Sequence, residues 1–86
     1  MAEDSITCTV LLFGKAAEIV GKREAKLSLP SNSIAGDIFR ALSEEDSEFL
    51  NLKSTCAVAV NHTLCTHETP LEDGAVVAIL PPVSGG

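Results

Sequence analysis

Short runs of β-branched and aliphatic residues with a two-residue period recur along this chain, and one stretch repeats apolar residues at helical spacing. Ile6 to Phe13 predicts a first strand, with Cys8, Val10 and Leu12 on one face and Thr7, Thr9, Leu11 and Phe13 on the other. Both faces turn apolar at its end, as expected of a strand inside a sheet. Gly14 to Val20 predicts a short helix burying Ala16, Ile19 and Val20 and closed by Gly21. Glu24 to Leu29 alternates cleanly, with Ala25, Leu27 and Leu29 inward, and so predicts a half-buried strand antiparallel to the first, ended by Pro30.

The main helix is expected over Ile34 to Leu42, where Ile34, Ile38, Ala41 and Leu42 make one stripe and Ser31, Asn32 and Ser33 offer N-caps. Phe49, Leu50 and Leu52 then fold back as a helical turn over the core. Ala57 to Val60 predicts a strand with Val58 and Val60 inward. Asn61-His62-Thr63 is a tight connection into a short edge strand near Leu64 to Thr66. Pro70 to Gly74 is a turn, since Asp73-Gly74 tolerates a positive φ. Ala75 to Leu80 is the last strand. The order β-β-α-β-β-β predicts an α+β sheet covered on one face by one main helix. Pairing the last strand parallel to the first sends the C-terminal residues off the sheet's end.

Those residues are Pro81-Pro82-Val83-Ser84-Gly85-Gly86. The prolines lack a donor and stop sheet pairing, while the glycines carry no Cβ and make the last peptide units thin. The expected organisation is a domain over residues 1–80 and an extended tail over 81–86. Spanning roughly 20 Å at about 3.3 Å per residue, such a tail suits threading into another protein, with the Gly86 carboxylate as reacting group. Phe13, Leu64 and Leu80 fall on the sheet face away from the helix and form a candidate docking patch.

Composition narrows the function. The 86 residues suit one small domain, and with three Phe and no Trp or Tyr the core must be aliphatic. A net charge of −6 argues against nucleic acid and anionic membranes as partners. The acidic start Met-Ala-Glu-Asp is the wrong charge for a signal peptide, so a cytoplasmic protein with reduced Cys8, Cys56 and Cys65 is expected. Glu44-Glu45-Asp46-Ser47-Glu48 is expected to be a solvated turn, because neighbouring carboxylates do not converge on an ion without a dedicated loop. His62, Cys65 and His67 are the most metal-like cluster, but a structural zinc site needs four ligands, and a polar hairpin is the expectation. No metal site is assigned. Gly21-Lys22 lacks the rest of a phosphate loop, so any activation of Gly86 must come from a partner.

Leu11 to Gly21, Ala59-Val60-Asn61, Pro70 to Gly74 and Val77 to Gly86 together resemble the small subunit of molybdopterin synthase. The resemblance implies a ubiquitin-like β-grasp sulfur carrier. In that family the terminal glycine carboxylate is adenylated by an E1-like enzyme using ATP and converted to a thiocarboxylate. The tail then enters the large catalytic subunit, where the sulfur builds the dithiolene of molybdopterin, usually in an assembly of two small and two large subunits. Carried over, Gly86 bears the sulfur, Gly85 is the slim spacer, and Phe13, Leu64, Leu80, Pro81, Pro82 and Val83 contact the partner. The chain itself is expected to be a non-catalytic subunit that binds no cofactor. The alternatives are a carrier for tRNA or thiamine thiolation, or a ubiquitin-like modifier joined to lysine.

Overall fold

The computed structural model describes residues 5–44 and 46–81. The elements run β1 (Ser5–Leu12), α1 (Gly14–Val20), β2 (Glu24–Pro30), α2 (Asp37–Ser43), α3 (Glu48–Leu52), β3 (Ala57–Val60), β4 (Thr63–Cys65) and β5 (Val76–Leu80). The five strands form one mixed sheet in the order β2-β1-β5-β3-β4. β1 and β5 are the parallel pair at its centre, and every other pairing is antiparallel. This is the expected α+β β-grasp, with a sheet layer and a helical layer.

Alternation decides which side chains meet the helices. Ile6, Cys8, Val10 and Leu12 of β1, Val58 of β3, and Val77 and Ile79 of β5 are buried. Against them lie Ala16 of α1, Ile38, Phe39 and Leu42 of α2, and Phe49 of α3. The rings of Phe39 and Phe49 pack with centroids 5.7 Å apart, so two of the three aromatic residues join the helices at the centre of the core.

The helical layer differs from expectation in one place. The stripe from Ile34 to Leu42 is interrupted because Ile34 is pinned outside the helix, bridging Pro70 as an isolated strand pair. The Ile34 N–H donates to the Asp37 carboxylate (2.9 Å), and α2 starts only after Gly36. Ser31, Asn32 and Ser33 are therefore not its caps: the Ser33 N–H turns back to the Pro30 carbonyl, and the Ser33 carbonyl accepts from Leu71 N–H. Leu50, expected over the core, is 48% exposed, because a five-residue α3 can turn only one side inward and Phe49 occupies it.

Turn chemistry elsewhere is as expected. Gly21 closes α1 with φ 86°, and Gly74 takes the same φ before β5. Asn61 and His62, both at positive φ, make a two-residue hairpin turn between β3 and β4. Asn61 does more than bend. Its N–H donates to the Val76 carbonyl (2.8 Å), and its side-chain oxygen accepts from Val76 N–H (3.0 Å), tying the hairpin to the start of β5.

Candidate functional site

The parallel β1–β5 pair places the chain's exit. Leu12 lies opposite Ile79 and Leu11 opposite Ala78, so both strands end at the same edge of the sheet. β1 passes through Phe13 into α1, while β5 passes into Pro81. A Cβ built on Gly14, which has φ +55°, would sit 3.1 Å from Pro81 Cγ. Bare backbone at position 14 thus gives the proline ring its seat beside the start of α1. Pro82, Val83, Gly85 and Gly86 lie outside the described residues.

The sheet face opposite the helices is open. Register aligns Leu64, Ala59, Ala78 and Leu11 in one row across β4, β3, β5 and β1. Leu64 is 68% exposed and Phe13 47%, whereas Leu80, paired with Ala57, is half-buried. With strands about 4.8 Å apart, Leu64 stands roughly 10 Å from β5 across the small side chain of Ala59. Phe13 continues β1 in extended conformation, which puts it on this face next to Leu80. The three residues expected to form a patch therefore share one face near the exit. Leu11 and Ala78 complete the surface, and Ala59 lies buried between Leu64 and Ala78. Their signal was the alternation itself, since Leu11 and Ala78 are each flanked by a core residue on both sides.

The hairpin cluster is held by other work. His67 Nε2 lies 3.0 Å from the Cys56 carbonyl, and its ring packs 5.2 Å from that of Phe39. The His67 carbonyl accepts from Gly36 N–H (2.7 Å), so this residue joins the hairpin to the start of α2. The Cys65 thiol points to the Val58 carbonyl (3.7 Å), and His62 sits exposed in the turn. Among the described residues no three His, Cys, Asp or Glu side chains converge on a metal position. Burial pushes the Cys8 thiol up, with Asp73 adding to the shift. Burial likewise raises Cys56, partly offset by a hydrogen bond from Thr55. Neither buried sulfur is disposed to act as a thiolate nucleophile.

The mixed sheet with its helical layer is an architecture shared with known proteins. Residues 10–86 match the ThiS family model. The chain belongs to the ThiS family. It is similar to the molybdopterin synthase sulfur carrier subunit of Escherichia coli, with 32% identity over 90% of this chain and 96% of that one. A chain of the complex of subunits 1 and 2 of the molybdopterin-converting factor from Helicobacter pylori is 29% identical. It superposes with a TM-score of 0.62 over 94% of this chain and 100% of that one. A Haloferax volcanii protein solved in solution has the same fold, with a TM-score of 0.84 over 100% of this chain and 92% of that one, at 21% identity.

Proposed function

We propose that this chain is the sulfur-carrier subunit of a molybdopterin synthase and holds its sulfur as a thiocarboxylate on Gly86. The observation that carries the reading is the family match, which runs from the first strand through the Gly85-Gly86 pair. A carboxylate is a poor electrophile until one oxygen becomes a leaving group. In the proposed sequence an E1-like partner transfers AMP from ATP to Gly86, releasing pyrophosphate, and a sulfur nucleophile then displaces AMP. Gly85 and Gly86 let the acyl group reach both enzymes without steric hindrance.

Transfer to the cyclic pterin precursor then occurs in a large catalytic subunit, within an assembly of two small and two large subunits in the cytosol. Phe13, Leu64 and Leu80 anchor that partner, while Pro81, Pro82 and Val83 guide the tail. Each large apolar side chain fully buried at such an interface contributes about 1.5–3 kcal/mol. Ordering the tail costs on the order of 1–2 kcal/mol per residue, so burial of the patch is what offsets insertion. The chain supplies the sulfur and an address, and the catalytic groups belong to its partners.

Intact-protein mass spectrometry after incubation with the activating enzyme, ATP and a sulfur donor tests this directly. The expected product has one carboxylate oxygen of Gly86 replaced by sulfur, and deletion of Gly86 abolishes both the product and pterin sulfuration. Recovery of lysine-linked adducts alone would instead make the chain a modifier.

A further inference from the structure

Among the described residues no strand covers the outer edge of β2, and a groove lies beside it. Leu12 N–H donates to the Arg23 carbonyl (2.8 Å), while Thr9 N–H and the Thr7 carbonyl bond toward the β5 side. These bonds set the hydrogen-bonding phase of the β1–β2 ladder. Arg23, Ala25, Leu27 and Leu29 turn their backbone groups toward β1. Glu24, Lys26 and Ser28 turn theirs to the outside, where β2 is the last strand of the sheet. Pro30, which has no N–H, closes this edge at its far end. The opposite edge, β4, offers only three residues.

We propose that the occupant of this edge is a second copy of the same chain, added antiparallel about a two-fold axis at Ala25. This register sets Glu24 opposite Lys26 of the second copy and Lys26 opposite its Glu24, both at positions with outward backbone groups. Ser28 meets Lys22 of the second copy. Shifting the axis to Lys26 would put the two Lys26 side chains face to face, and shifting it to Leu27 would leave Glu24 and Lys26 without opposite charges, so charge favours the first register.

The groove supplies a second complementarity. It runs between β2 and α2, with Leu27, Leu29 and Ala41 as its apolar part and Asp37, Arg40 and Glu44 as its charged part. Leu27, although directed to the helix side, is only half-buried. In the proposed register Arg23 of the second copy stands opposite Leu27, on that helix side. Its stem covers Leu27, and its guanidinium reaches the charged rim of the groove, where Asp37 and Glu44 outnumber Arg40. The contact is isologous, so it closes at two copies. It extends the sheet in its own plane and leaves the outer apolar face uncovered, which makes it compatible with partner docking there.

Sedimentation equilibrium of the whole chain up to about 1 mM, the range for small interfaces, is the test. A monomer–dimer equilibrium is expected. Glu24→Lys or Lys26→Glu alone turns both cross-copy pairs into like charges and weakens association by about tenfold. The Glu24→Lys/Lys26→Glu double variant restores the pairs in exchanged form and recovers the wild-type constant. Circular dichroism checks that these exposed substitutions leave the fold intact. A monomer at every concentration overturns the proposal. So does a dimer indifferent to the single variants, or one the exchange fails to rescue.

Discussion

The two faces of the central sheet are cut from the same strands yet have opposite surroundings. On the inner face Val10, Val58, Val77 and Ile79 have no solvent exposure, because three short helices and the Phe39–Phe49 pair close over them. On the outer face Leu64 and Phe13 remain largely exposed beside Leu11, Ala59 and Ala78. An apolar side chain therefore has two possible uses here, separated by one residue in the strand. The inner set stabilises the fold, and the outer set is available to a partner. The small Ala59 and Ala78 make the difference visible: they keep the outer face flat where the inner face interlocks.

The sharpest way to break this contrast is to truncate the inner layer. Phe39→Ala removes a ring that touches Phe49 and His67, and is expected to lower stability by about 3–5 kcal/mol in urea unfolding. On the outer face, Phe13→Glu and Leu64→Glu are expected to leave the unfolding midpoint nearly unchanged. Each should weaken binding to the large subunit by about tenfold or more in titration calorimetry, because an apolar contact is lost and a charge desolvated. Normal binding by both variants would remove the outer face from the interface.

Asn61→Ala lies between these extremes. It forces alanine into φ 51° and removes the acceptor of the Val76 N–H, for an expected loss of about 1–2 kcal/mol. Asn61→Gly, which keeps the backbone conformation, should lose less. The smallest expected effect is a pH dependence from Cys8. Burial raises its thiol above the ordinary 9.0, so the folded state holds this proton more tightly than the unfolded chain. That contribution is present below about pH 9 and is lost as pH rises through the folded value. Thermal unfolding from pH 8 to 10.5 should therefore decline less steeply in Cys8→Ala than in the parent.

Much of this architecture is legible from local chemistry. Alternation assigns the inner and outer sets of β1 and β5, Gly21 and Gly74 mark their turns, and Asn61-His62 marks the hairpin. The main helix begins later than its pattern suggests. Helical spacing includes Ile34, but nothing local records that Ile34 will bridge Pro70, thirty-six positions away. The core role of Phe39 is hidden for the same reason, since its partners Phe49 and His67 come from other elements. The histidines and cysteine of the hairpin look more like ligands than they are, because composition cannot say that His67 Nε2 will lie 3.0 Å from the Cys56 carbonyl. The patch is legible as one face, yet its flat middle, Ala59 and Ala78, needs the register between strands.

Periodicity, turn residues and the Pro-Pro-Val-Ser-Gly-Gly ending were enough to specify the strands, their two faces and the group proposed to carry sulfur. Each of these rests on interactions within a few residues, where steric limits on φ and side-chain direction leave little choice. The seat of Pro81 on Gly14, the alignment of Leu64 with Leu11 across four strands and the open edge of β2 were settled only by folding. They depend on which distant segments become neighbours, and that is decided by burying one shared core rather than by any single stretch of chain.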